Sequence, residues 1–98
     1  MPKIGVPREQ LATFCRRHRI RKLAFFGSVL RDDFGPESDV DVLVEFENDA
    51  RVGFIALATM ELELGQLLGH KVDLRTPADL SRYFRDEVIQ TAEIQYAA

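Results

Sequence analysis

Apolar residues recur every three or four positions from about Pro7 to His18, where Leu11, Phe14, Cys15 and His18 predict an amphipathic helix with Cys15 on its buried stripe. Pro7 suits the first turn of such a helix, where a missing N–H costs nothing. Lys22 to Phe26 is a short apolar and aromatic run bounded by Gly27-Ser28, which predicts a buried strand ending in a tight turn. Val29 to Asp32 is expected to form a single helical turn, and Phe34 to Ser38 a loop. From Asp39 to Phe46 the period becomes two: Val40, Val42, Val44 and Phe46 share one face of a second strand, and Asp39, Asp41, Leu43 and Glu45 the other. Phe54, Ile55, Leu57, Ala58, Leu62, Leu64, Leu67 and Leu68 then predict a long helix that runs through Gly65 and stops at Gly69. A third strand, about His70 to Arg75, sets Val72 and Leu74 against Lys71, Asp73 and Arg75. Thr76-Pro77-Ala78-Asp79 reads as the start of a last helix with Leu80, Phe84, Val88, Ile89 and Ala92 as its inner stripe.

A helix between strands two and three favours a parallel pair with a right-handed crossover. Strand one ends at Gly27-Ser28 and strand two begins at Asp39, so antiparallel pairing would bring both motifs to one edge. The expectation is an α/β fold with a small three-stranded mixed sheet and helices. At 98 residues the whole chain, 1–98, is expected to be a single domain.

Charge and cysteine content narrow the function classes. A net charge of −3 argues against binding duplex DNA through an overall basic field. The one cysteine, Cys15, cannot form an internal disulfide or a thiolate metal site, which fits a reducing cytoplasm. No apolar run approaches the ~18 residues of a membrane span, so no membrane association is expected and the predicted location is cytoplasmic.

The chemistry lies in three aspartates and a turn. Asp39 and Asp41, two apart on a strand, project to the same face about 7 Å apart along the backbone, within reach of one hard cation. Asp73, on the polar face of the neighbouring strand, can approach from the side. Their mutual repulsion is relieved by a divalent ion, and oxygen-only ligation points to magnesium. Such a site suits phosphoryl or nucleotidyl transfer. Gly27 lets the backbone come close to a phosphate, Ser28 offers a hydroxyl donor, and Arg31 follows one turn later as a partner for a terminal phosphate.

Gly27-Ser28, the ten residues 29–38, Asp39-Val40-Asp41 and a downstream Asp73 resemble the signature of the DNA polymerase beta-type nucleotidyltransferase superfamily. Phe26-Gly27-Ser28-Val29-Leu30-Arg31 and Ser38 to Val44 look most like the minimal nucleotidyltransferases, the MNT proteins of HEPN/MNT toxin–antitoxin pairs. The resemblance covers about Leu23 to Arg75. It implies the polymerase beta-like nucleotidyltransferase fold, with metal on Asp39, Asp41 and Asp73, the triphosphate on Gly27 and Ser28, and deprotonation of the acceptor hydroxyl as a candidate role for Asp73. It also implies ATP as donor, a tyrosine of a HEPN-type ribonuclease toxin as acceptor, and antitoxin action by AMP transfer.

Each of these features has a plainer alternative. Asp-x-Asp alone is common on solvated strand faces, and its weight comes from the Gly-Ser turn and the third aspartate. Asp73 could be a solvent-facing residue between Lys71 and Arg75, and Arg31 a local ion pair with Asp32 or Asp33. The basic run Arg16-Arg17-His18-Arg19, continued by Arg21 and Lys22, could face an acidic partner or RNA, but cations at a helix C-terminus already complement its dipole. His18 and His70 lack metal-ligand spacing. At the level of function, an antitoxin that silences its partner by occlusion is the rival to an enzyme. A small-molecule nucleotidyltransferase of the antibiotic-modifying kind is disfavoured, because 98 residues hold no acceptor lobe.

Overall fold

A computed structural model describes residues 4–32 and 34–98. The elements in chain order are α1 (Arg8–Arg17), β1 (Ile20–Phe26), a 3-10 turn (Gly27–Leu30), β2 (Val40–Phe46), α2 (Phe54–Leu68), β3 (Val72–Arg75), a second 3-10 turn (Pro77–Asp79), α3 (Arg85–Thr91) and β4 (Glu93–Ala97). They form a four-stranded sheet in the order β3-β2-β1-β4. β2 and β3 are parallel, whereas β1 runs antiparallel to both β2 and β4. The crossover and the reversed first strand are therefore as the sequence predicts.

The core lies between one face of the sheet and the helices α1 and α2. Leu11, Phe14 and Cys15 from α1 meet Leu23 and Phe25 of β1, Val40, Val42 and Val44 of β2, and Met60, Leu64 and Leu68 of α2. Burying each large side chain of this set contributes roughly 1.5–3 kcal/mol. Burial pushes the Cys15 thiol up to about 12, so it stays protonated as an inert packing group. α1 ends where Arg19 takes a left-handed conformation (φ 59°), which turns the chain at once into β1.

Four expectations need correction. The sheet has four strands, because Glu93–Ala97 is extended and pairs with β1. The last helix does not start at Thr76. Thr76 and Asp79 close a capping box on one 3-10 turn, Leu80 is extended (φ −83°, ψ 145°), and α3 begins only at Arg85 with no buried residue. Of its predicted inner stripe, Leu80 is buried while Phe84 and Ile89 are exposed. Leu43, expected beside Asp39, Asp41 and Glu45 on the face of β2 away from the valines, is buried, together with Ala24 of β1, outside the main core cluster. The 3-10 turn that follows β3 packs on β2. Finally, Phe54, Ile55 and Leu62 of α2 are 91%, 86% and 72% exposed. α2 buries Met60, Leu64 and Leu68, four residues apart, with Leu57 and Leu67 packed beside them, and Met60 carries weight that the sequence reading did not give it.

Gly65 explains how α2 comes so close to β3. A Cβ there would lie 2.9 Å from the His70 carbonyl oxygen, a backbone atom that cannot rotate away. Gly65→Ala should therefore destabilise the fold by about 1–3 kcal/mol despite alanine's better helix propensity. Chemical denaturation measures this, and an unchanged or higher midpoint would refute the close-packing account.

Candidate active site

The period-two pattern of β2 sends Val40, Val42 and Val44 into the core and leaves Asp41 on the opposite, open face. Strand pairing then does the assembling. Asp41 stands opposite Phe26 of β1 on one side and opposite Asp73 of β3 on the other. Asp39, just before β2, is exposed, while Asp41 and Asp73 are half-buried. The end of β1, the start of β2 and the third aspartate thus meet at one end of the sheet, as the antiparallel argument requires.

Gly27 follows β1 with φ 74°, a left-handed conformation that suits glycine. A Cβ at Gly27 would fall 2.3 Å from Asp41 Oδ2, so the carboxylate lies directly against the glycine backbone. Ser28 Oγ donates to the Asp39 carbonyl at 3.3 Å, tying the turn to the strand that carries the aspartates. The Arg31 amide donates to the Ser28 carbonyl at 2.9 Å and closes the turn. Between Arg31 and Asp39 the loop is held by Ser38 N–H to Gly35 C=O at 3.0 Å, and the Phe34 ring rests against His70 with centroids 5.3 Å apart.

Electrostatics mark Asp41 as the centre of the group. Its carboxyl is raised above the ordinary 3.8, first by burial and then by repulsion from Asp73 and Asp39. Arg75 and Arg31 pull it back down, so both guanidiniums act on this cluster. Arg75 forks onto Asp73, with Nε 3.1 Å from Oδ1 and Nη2 3.2 Å from Oδ2. It was passed over in the sequence as a mere neighbour of Asp73, although an i, i+2 pair on a strand face is the signal that could have found it.

Oxygen-only donors with mutual repulsion, with Asp41 packed directly against the Gly27 backbone, suit a hard divalent cation. Among the described residues, no group of three His, Cys, Asp or Glu side chains is arranged to hold a metal ion. The arrangement is an open set with Asp73 drawn onto Arg75. A concavity of about 680 Å³ between α1 and α2 contains none of these carboxylates.

The basic run is occupied elsewhere. Arg17 pairs with Glu63, Arg19 with Asp49 and Glu47, and Arg21 and Lys22 with Glu45. His18 also meets Glu63, at 3.1 Å, and neither histidine approaches a metal-type cluster among the described residues. No helix among the described residues is long and apolar enough to cross a membrane.

Comparison with known proteins bears on the family and the fold. The Methanocaldococcus jannaschii protein described as "Putative protein adenylyltransferase MJ0435" is 29% identical over 76 residues, 78% of this chain and 80% of that protein. A solved structure described as "Structure of putative minimal nucleotidyltransferase" is 34% identical, covers 87% of this chain and 85% of that one, and superposes with a TM-score of 0.70. A structure of the tri-AMPylated Shewanella oneidensis HEPN toxin in complex with MNT antitoxin contains a chain of the same fold, with a TM-score of 0.65 at 18% identity over 93% of this chain and 70% of that one. The nucleotidyltransferase domain family matches residues 8–96, nearly the full length, and the chain belongs to that family.

Proposed function

We propose that the whole chain acts as one magnesium-dependent nucleotidyltransferase domain that moves AMP from ATP to a hydroxyl, a tyrosine of a HEPN-type ribonuclease toxin, and so serves as the antitoxin of the pair. One observation supports the reading: Asp41 stands opposite Asp73 at the end of the sheet, with Asp39 two residues before it, beside a glycine turn against which the Asp41 carboxylate lies. The names borne by the similar proteins, protein adenylyltransferase and MNT antitoxin beside an AMPylated HEPN toxin, support the choice of donor and acceptor.

Asp39, Asp41 and Asp73 would hold the magnesium. When bound, magnesium neutralises phosphate charge and polarises the phosphorus–oxygen bond to be broken. Gly27 lets the triphosphate approach the backbone, and Ser28 and Arg31 donate to its oxygens. In this reading Asp73 takes the proton of the acceptor hydroxyl as its oxygen bonds to the α-phosphorus and pyrophosphate leaves. Ser28 serves as a hydrogen-bond donor here and not as a nucleophile, since no base is needed for that duty. The exposure of Asp39 leaves the site open to an acceptor carried by a second protein.

Turnover tests the proposal. With ATP and magnesium, a substoichiometric amount of the chain should add AMP to many molecules of HEPN partner, read as the mass of one or more AMP residues on a partner tyrosine. Inhibition only at equal concentration, with the partner unmodified, would establish occlusion instead.

A further inference from the structure

Asp73 and Arg75 share one face of β3, and the guanidinium meets the carboxylate through two near-parallel contacts, 3.1 and 3.2 Å long. The backbone that spaces them is fixed. Leu74 between them is buried, and its amide donates to Glu61 Oε2 of α2 at 2.8 Å. Register sets Asp73 opposite Asp41 and Arg75 opposite Leu43, so the guanidinium lies on the side of Asp73 that faces away from Asp39. A carboxylate turned onto Arg75 is thus turned away from Asp39, while Asp41 stays opposite Asp73 across the strand pair. This agrees with the absence, among the described residues, of three carboxylates already arranged around one point. Arg75 also feels Asp79, at the end of the next turn, and Asp41, which leaves it a second acidic neighbour when Asp73 departs.

We propose that Arg75 is a positioning residue that holds the Asp73 carboxylate turned away from Asp39, and so keeps the three-aspartate set open, until a divalent cation competes for it. Arg75 thereby sets the cation concentration at which the three-aspartate site assembles. The inference rests on the reading of the aspartates as the metal set, and it adds a residue that lies outside the Gly-Ser and Asp-x-Asp motifs. The competition is feasible because the Arg75 and Asp73 side chains are 48% and 37% exposed, within reach of ions from solvent. Exposed pairs of this kind are weak enough to exchange, and an ion that gains three carboxylates outbids one that holds a single carboxylate.

Manganese is the probe, titrated into the full metal-free chain without nucleotide and followed by its paramagnetic resonance signal. Arg75→Gln should bind manganese about three- to fivefold more tightly than the wild type, the scale expected from an exposed forked pair. Arg75→Lys keeps the charge but not the fork, and should fall between the two. It also carries the test should Arg75→Gln fail to fold. In an Asp73→Asn background, Arg75→Gln should leave manganese affinity unchanged. Equal or weaker binding by Arg75→Gln would overturn the proposal. So would a gain of the same size in the Asp73→Asn background, since Arg75 would then act through its charge alone. Failure of wild type and Arg75→Gln alike to bind manganese would remove the metal reading itself. Firm wild-type binding with no response to Arg75→Gln would remove only the role of Arg75.

Discussion

Asp41→Asn is expected to lower AMP transfer by about 10³-fold, because it removes the central charge of the group that would hold the metal and the substrate phosphates. The same change should not harm the fold. Burial and the neighbouring carboxylates raise the Asp41 carboxyl above its unfolded value. The folded chain therefore holds this proton more tightly than the unfolded chain does, and stability falls as pH rises through the raised value. At neutral pH the ionised Asp41 opposes folding. Asparagine relieves that opposition, so without metal the variant should melt at or above the wild-type temperature at pH 7. Its advantage should shrink as the pH drops from the raised value toward the ordinary 3.8, below which the wild-type carboxyl is protonated in both states. A drop of several degrees at pH 7, or retention of most of the transfer activity, would refute the assignment.

Gly27→Ala is expected to produce nearly as large a loss by a different route. The left-handed φ of 74° costs an alanine about 1–2 kcal/mol, and the new methyl would sit 2.3 Å from Asp41 Oδ2. That oxygen is the end of a side chain, so the clash is relieved by rotating Asp41 out of place and not by breaking the sheet. The fold should survive with a melting temperature a few degrees lower, while transfer falls by about 10²-fold, the scale associated with misplacing a reacting group by about 1 Å. Calorimetry with ATP and a divalent cation, beside a denaturation curve, separates the two effects. Wild-type transfer in a chain destabilised by the expected amount would show that Gly27 serves the turn alone.

The site was legible in the sequence to an unusual degree because each of its parts rests on a short-range rule. Period two placed Asp39 and Asp41 together, Gly27-Ser28 marked the end of a strand, and the need to bring the two motifs to one edge gave β1 its direction. The structure sets Asp41 between Phe26 and Asp73 as those rules require. What the sequence hid depended on partners far along the chain. Glu93–Ala97 follows a helical pattern with no glycine or proline between them, and it becomes a strand because β1 offers an unpaired side. Leu43 shares a strand face with three acidic residues and is nonetheless buried, and Phe54, Ile55 and Leu62 look like core although α2 turns them to solvent and packs through Leu57, Met60, Leu64, Leu67 and Leu68. The grip of Arg75 on Asp73 joins near neighbours, but Arg75 also has Asp79 beside it, and choosing between them takes coordinates.

The hydrogen bond from the Leu74 amide to Glu61 has a consequence for how the molecule behaves in company. β3 is an outer strand of the sheet, and the backbone groups on its free side are a template on which another chain's strand could zip up. Glu61 plugs one of those groups with a carboxylate from the chain's own helix, 2.8 Å away. An incoming strand would have to expel that carboxylate and then lie beside its charge. Lys71 and Arg75, exposed at either end of the same short strand, add the charges that discourage flat stacking. The plug thus does two jobs at once: it fixes the backbone on which Asp73 is mounted, and it withdraws one hydrogen-bonding group from the open edge of the sheet.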